Sequence, residues 1–143
     1  MIGRYSESPE FAKKGRGVYP ADQGCIGASW RAGDGWSFTC NLPDPRANSK
    51  DYARSQKRDW NIPDDICRDL TMKPRTIAAF ALKDSGNMER AAVLVIESEK
   101  PDRFNPEILQ AYLKGNVSRT ISLLLDVLDP ESPSLSFARE EGY

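Results

Sequence analysis

The sequence predicts an α+β fold in which a central antiparallel β-sheet is flanked by helices. Apolar and polar residues alternate from residue 36 to residue 42, which indicates a half-buried strand. Two apolar, β-rich runs, residues 75–83 and 90–98, are joined by six residues of turn-forming type and indicate a hairpin. Apolar residues then recur at helical spacing up to Leu128, which predicts a long C-terminal helix.

A glycine-rich stretch, residues 15–36, predicts the first helix. Asp22 is the expected N-cap, and Ile26 and Trp30, four residues apart, form an apolar stripe that predicts Trp30 to lie in the core. Gly24 and Gly27 are expected to let this short helix pack closely on the sheet. The stretch lacks the lysine and hydroxyl residue of a P-loop and the three-glycine spacing of a dinucleotide-binding motif.

The strand that follows has an apolar face, which we expect to meet this first helix. Its members are Trp36, Phe38, Cys40 and Leu42.

The middle of the chain is predicted to hold two short helices. Asn48 or Ser49 caps the first, which runs through Lys57 and, with Tyr52 as its one large apolar residue, is expected on the surface. Its cations indicate a solvated face, with an anion-binding role as the alternative. Pro63 opens the second helix, in which the apolar residues 66, 67 and 70 share one face.

The C-terminal half begins with the hairpin, whose turn is centred on residues 85–87. Asn105 and Pro106 form the cap and first position of the long helix, and Gly115 predicts close packing or a bend. The domain is expected to span residues 1–128, followed by a flexible tail, residues 129–143, in which Leu135 and Phe137 could dock.

Composition excludes several classes of function. The chain has 143 residues, 29% of them charged, and a net charge of −1, so no basic excess is present for nucleic-acid binding. Histidine is absent, which removes histidine-based catalytic triads and most zinc and iron sites. Three dispersed cysteines indicate a reducing compartment, and no apolar run is long enough to span a bilayer. We therefore predict a cytoplasmic protein with no metal site and no membrane contact by this segment.

Several parts of the chain, in their order and spacing, resemble a GAF domain, a sensory fold with a central antiparallel sheet. The resemblance covers residues 4–128. It rests on the Gly-x-Ile-Gly-x-x-Trp run at residues 24–30 after the extended residues 18–19, on the strands at residues 73–82 and 93–98, and on Phe104-Asn105-Pro106 before the last helix.

GAF domains usually begin with a helix and two strands that precede the region corresponding to Arg4. Only the end of the second strand, near residues 2–6, is recognised here. We expect the chain to be a segment of a longer protein; the alternative is a degenerate domain that completes its sheet with a partner. An exposed sheet edge would promote pairing between copies.

The resemblance implies a ligand pocket between one face of the sheet and residues 42–74. The candidate ligand-binding residues by placement are Phe38, Cys40, Tyr52, Trp60, Cys67, Thr76 and Glu97. For each, packing in the core or a solvated edge is the alternative. Glu97, near the end of an apolar strand, is expected either to face water or to have a buried partner such as Arg75 or Arg103. The cofactor is left open: bilin attachment and haem binding in this family use histidine, and the cyclic-nucleotide signature is not recognisable.

Three functions follow from these observations. The first is a non-catalytic sensory or regulatory domain that binds a small molecule or dimerises within a larger signalling protein, through helices or a sheet edge. The alternative is an interaction domain whose pocket is filled by its own side chains and whose C-terminal helix contacts a partner. The third, an enzyme with Cys67 as nucleophile beside Arg68, needs a stabilised thiolate; we predict no enzymatic activity.

Overall fold

The computed structural model describes residues 6–11, 20–84, 86 and 88–128, with Glu10 and residues 126–128 described by their backbone only. Residues 2–5 of the strand end predicted at residues 2–6, the extended residues 18–19, the turn positions 85 and 87 and the tail 129–143 lie outside this part; Ser6, which is described, is not in a strand. Within it, no helix is long and apolar enough to cross a membrane.

The described chain is a mixed α+β domain built on a three-stranded antiparallel sheet. After a 3-10 turn at Pro9–Phe11 and helix α1, the strands come in the spatial order β1-β2-β3. The helices are α1 (Gly24–Arg31), α2 (Ser49–Trp60), α3 (Asp64–Asp69), α4 (Pro106–Tyr112) and α5 (Ser118–Leu128). The strands are β1 (Trp36–Thr39), β2 (Thr76–Lys83) and β3 (Arg90–Ser98).

Helices cover both faces of this sheet. On the inner face, as we name it, Ile77 and Val95 pack with residues of α1, α2 and α3. On the helical face, Phe80 and Leu82 pack with residues of α4, α5 and the turn between them. The described sheet is therefore the middle layer of three, and β2, which is buried along seven of its eight residues, is its centre.

Helix α1 corrects two predictions. Trp30 is 37% exposed rather than buried, because the helix turns the smaller Cys25 and Ala28 towards the inner face. Its N-cap is Gln23, with no side-chain cap, and Asp22 does not cap it. Position 27 requires glycine because the helix passes close to the preceding loop, not to the sheet. A Cβ at this position would lie 2.5 Å from the carbonyl oxygen of Ala21.

Strand β1 is shorter than predicted, and its apolar face lies on the other side of the sheet. It ends at Thr39 because Asn41 adopts a left-handed conformation (φ 55°), which breaks the alternation. Leu42 consequently packs in the inner-face core, whereas Trp36 packs in the helical-face core. The expectation that Trp36, Phe38, Cys40 and Leu42 would together meet α1 is wrong.

Helix α2 begins as predicted but ends later and is less exposed. The Asn48 side chain accepts a hydrogen bond from the Asp51 amide as N-cap, and the left-handed Asn61 (φ 50°) ends the helix. One side of the helix is buried, which the sequence did not indicate because half of the buried set is polar. Its members are Tyr52, Ser55, Gln56 and Trp60.

The predicted hairpin is confirmed: β2 and β3 pair antiparallel, with Ala78 opposite Ile96. The predicted C-terminal helix is interrupted by a π-helical turn, Leu113–Val117, in which Gly115 is non-helical (φ −84°, ψ −137°). In a regular α-helix, residues spaced four apart are rotated by about 40° from one to the next around the helix axis. The wider π-helical turn reverses part of this rotation, so that one stripe of residues keeps facing the sheet. That stripe consists of Leu109, Leu113, Val117, Ile121 and Leu125.

Candidate functional site

The space between the sheet and residues 42–74, where a pocket is expected, is occupied by the protein's own side chains. Tyr52, Trp60 and Cys67 are 1%, 5% and 2% exposed. They form one apolar cluster with three further buried residues, Leu42, Ile62 and Ile77. Three of the seven predicted ligand-binding residues are therefore brought together, as parts of the core.

A hydrogen-bonded pair lies inside this layer. The Tyr52 hydroxyl donates to the carbonyl oxygen of Pro74 (3.1 Å) and accepts from Nε2 of Gln56 (3.0 Å). Burial raises the pKa of Tyr52, and the negative charges of Cys67 and Glu97 act in the same direction. Tyr52 is consequently a neutral anchor that ties α2 to the chain entering β2.

Two buried polar side-chain atoms lie on the same side of α2. Neither the amide oxygen Oε1 of Gln56 nor the indole Nε1 of Trp60 has a hydrogen-bond partner among the residues described here. The first is an acceptor and the second a donor, and the residues are four positions apart on one helix face. Buried polar atoms are almost always paired, so this pair is the chemically unusual feature of the layer.

Cys67 lies in surroundings that disfavour a thiolate. Burial raises its pKa and the nearby Asp64 acts in the same direction, while Lys73 opposes both. A nucleophilic cysteine needs a lowered pKa and access to substrate. The neighbouring Arg68 is exposed, and it is not among the groups that shift the pKa of the Cys67 thiol.

The remaining predicted residues lie elsewhere. Phe38 stacks on Trp36 (ring centroids 6.1 Å apart) and shares the helical face with its cross-strand partner Ala78. It therefore lies across the sheet from Tyr52. Cys40 follows the end of β1, is half-buried and accepts a weak hydrogen bond from the Asn41 side chain (3.4 Å).

Thr76 and Glu97, on the paired strands, have different surroundings. Thr76 is fully buried; its hydroxyl donates to the carbonyl oxygen of Lys100 (2.7 Å), which fixes the loop between β3 and α4. Glu97 is exposed at the sheet edge rather than buried. Arg75 donates to the Leu42 carbonyl oxygen and lies 3.8 Å from Asp44.

Three arginines of the polar stretch before and within α2 have an acidic neighbour. Arg54 contacts Asp51 (2.6 Å), Arg58 contacts Asp59 (2.5 Å), and Arg46 lies 4.0 Å from Glu99. The three arginine side chains are well exposed, so these pairs add little stability. A small cleft of about 100 Å³ near Arg46 and Arg75 is likewise lined by the carboxylates Asp44 and Glu99. The arrangement is that of a solvated face.

Two further surfaces lie outside the inner-face core. One is an open groove of about 500 Å³ between the hairpin, the turn before β1 and α5. Its lining comes from four separate segments, so no local pattern could have indicated it. The other is a row of exposed apolar residues on α4 and α5, Ile108, Tyr112 and Leu124. All three are among the apolar residues at helical spacing from which the long C-terminal helix, the predicted partner contact, is expected.

Comparison of the chain with models of known protein families, with curated proteins and with solved structures yields no match.

Proposed function

We propose that this chain is a non-catalytic regulatory domain of the GAF type that works by pairing with a second copy through α4 and α5. The observation that carries the proposal is the exposure of Ile108, Tyr112 and Leu124, whose side chains are 70%, 66% and 56% exposed. Large apolar side chains that form an exposed patch are typical of interaction surfaces. The GAF resemblance adds a cytoplasmic, signalling context.

These residues belong to one stripe, which we call the pairing stripe. It consists of residues four positions apart, each directly preceding a residue of the sheet-facing stripe: Ile108, Tyr112, Asn116, Thr120 and Leu124. The stripe is apolar at both ends and polar in the middle. Asn116 and Thr120 are exposed, and the Thr120 hydroxyl donates to the Asn116 carbonyl oxygen (2.9 Å).

That pattern is complementary to itself when two copies pack antiparallel about Asn116. Ile108 of each copy then meets Leu124 of the other, and Tyr112 meets Thr120. A twofold interface requires one patch to match itself in this way, so the pattern favours a second copy over an unrelated protein. No charged residue belongs to the stripe, and none would be buried along its centre.

The inner face supports a non-catalytic role of this kind. Tyr52, Trp60 and Cys67 fill the space in which a GAF ligand is expected, and burial raises the pKa of Cys67. A domain whose interior is filled by its own side chains acts through its surface. This is the interaction-domain alternative that the sequence had left open.

The test measures self-association by sedimentation velocity across a concentration series. We expect a reversible dimer that Ile108→Glu and Tyr112→Glu each weaken about tenfold or more, because an unpaired carboxylate in an apolar interface is costly. Met88→Glu is the matched control, since Met88 is 62% exposed but lies on the hairpin. A wild-type chain that stays monomeric, or a dimer equally weakened by the control, contradicts the proposal.

A second candidate is a small-molecule sensor that uses the predicted pocket residues. It is supported by the unpaired Gln56 Oε1 and Trp60 Nε1, an acceptor and a donor that a polar ligand could satisfy after the layer opens. Thermal-shift measurements with nucleotides, cyclic dinucleotides and amino acids test it. A ligand that binds the folded state raises the melting temperature by mass action, and Gln56→Leu should abolish that rise. If no compound of the panel raises the melting temperature, the result contradicts the sensor function and favours an inner face that is filled by the protein's own side chains.

A further inference from the structure

The groove beside α5 combines an apolar floor with cations. Its apolar lining comes from three elements: Phe80 and Ala81 of β2, Met88 of the hairpin and Leu123 of α5. At about 500 Å³ it falls within the size range of small-molecule sites, which are largely apolar with a few placed polar groups. An occupant could bury an apolar body against this floor.

Three cations, Lys83, Arg90 and Arg119, line the same groove. Arg90 is already engaged, because its guanidinium donates to the carbonyl oxygens of Ala32 and Gly33. Within the described part of the chain, the side chains of Lys83 and Arg119 have neither an ion pair nor a hydrogen-bond partner. Both residues are exposed and come from different elements, β2 and α5. Two donors are thus left for an anionic group.

The groove is lined by three cations and two carboxylates, and Lys114, outside the lining, offsets the charge of Asp34, so positive charge is in excess. Asp34 accepts from the Trp36 amide (3.1 Å), the Gln110 side chain (3.0 Å) and the Lys114 ammonium (3.4 Å). Asp84 accepts from the Gly86 amide (2.6 Å).

We infer that this groove is a binding site for a small amphipathic anion, whose apolar body lies on Phe80 and Leu123 while its charged group lies between Lys83 and Arg119. The inference is independent of the pairing stripe, because none of these four residues belongs to it. It is also independent of the inner-face core, because no residue that lines the groove belongs to that cluster.

The probe is 1-anilinonaphthalene-8-sulfonate, an aromatic body with one sulfonate, and the comparison probe is N-phenyl-1-naphthylamine, the same body without the charge. Fluorescence titration of the intact chain should show one saturable sulfonate site. We expect Lys83→Gln and Arg119→Gln each to weaken the sulfonate's binding about threefold, and the double variant about tenfold, as for exposed charge pairs. Binding of the uncharged probe should not change.

The matched control removes two exposed cations from α2, with Lys50→Gln and Lys57→Gln, and should leave both probes unaffected. Leu123→Ala should weaken both probes, because it removes apolar contact rather than charge. Amide chemical-shift changes on adding the sulfonate should concentrate at Gly33, Gly35 and Ser122. No saturable binding, equal loss for charged and uncharged probes in the double variant, or shift changes elsewhere overturns the inference.

Discussion

The two faces of the sheet are covered by helices in opposite ways. On the inner face, α2 and α3 bury aromatic and polar side chains together, so that Tyr52 and Trp60 are almost inaccessible. On the helical face, α4 and α5 use an aliphatic stripe for packing and leave Ile108, Tyr112 and Leu124 in water, beside an open groove. The first arrangement serves stability. The second leaves large apolar side chains and an open groove at the surface.

The difference follows from how many apolar residues each helix has and where they lie on it. Helix α2 has few of them, and its buried side holds Tyr52 and Trp60 together with polar residues. Helices α4 and α5 have more apolar residues than one packing stripe can accommodate, because a single stripe of a helix faces the sheet. The surplus lies on the neighbouring stripe, where it is available to a partner.

The largest expected effect comes from truncating an aromatic residue on each face. Trp60→Ala should lower the free energy of unfolding by about 3–5 kcal/mol, the usual cost of removing a buried large aromatic side chain. Tyr112→Ala should change it by less than about 0.5 kcal/mol, because its side chain is mostly in water. Urea unfolding followed by circular dichroism measures both. Similar losses for the two variants would remove the distinction between the faces.

Alkaline pH tests the inner face through Tyr52. The pKa of Tyr52 is raised in the folded state. Below about pH 10 its hydroxyl is protonated in both the folded and the unfolded chain, so it does not make the free energy of unfolding depend on pH. Above that pH the unfolded chain loses the proton first, and stability should fall by about 1.4 kcal/mol per pH unit until the folded pKa is reached.

Urea unfolding between pH 8 and pH 11 should therefore show a shallower decline for Tyr52→Phe than for the wild type. Tyr112→Phe, on the exposed stripe, serves as the control and should keep the wild-type slope. A parallel decline in wild type and Tyr52→Phe would show that the Tyr52 hydroxyl does not contribute to the pH dependence.

The smallest expected effect compares the caps of the helices on the two faces. Asn48 and Asn105 each accept a hydrogen bond from the amide three residues later, at the starts of α2 and α4. Asn48→Ala and Asn105→Ala should each cost about 1 kcal/mol. Thermal unfolding gives both values. A negligible cost for Asn105→Ala alone would indicate that α4 contributes little to the folded state of the isolated chain.

The sequence predicted the elements well and their contacts less well. The hairpin, the capped start of α2 and the proline-led start of α4 all depend on short patterns, and the structure has them. The burial of Trp30 and the face of Trp36 were wrong. Spacing shows which residues lie on the same side of an element, but it does not show which way that side turns.

The candidate site shows the same limit. Tyr52, Trp60 and Cys67 were grouped correctly as neighbours, yet whether they line a space or fill it depends on distances between α2, α3 and the sheet. Phe38 was placed with them because the alternation was extended through residue 42. The left-handed Asn41 ends that alternation; asparagine tolerates this conformation more readily than most residues, but it is also found in strands, so residue type alone does not mark the end of β1.

By itself, the sequence determined the composition-based exclusions and the α+β order of elements, because periodicity and capping act over a few neighbouring residues. It also determined that apolar residues recur at helical spacing along α4 and α5. Only the tertiary structure decided which stripe meets the sheet, that the inner face is filled, and that Lys83 and Arg119 stand across one groove. These depend on the packing of segments far apart in the chain, where side-chain volume and backbone direction act together.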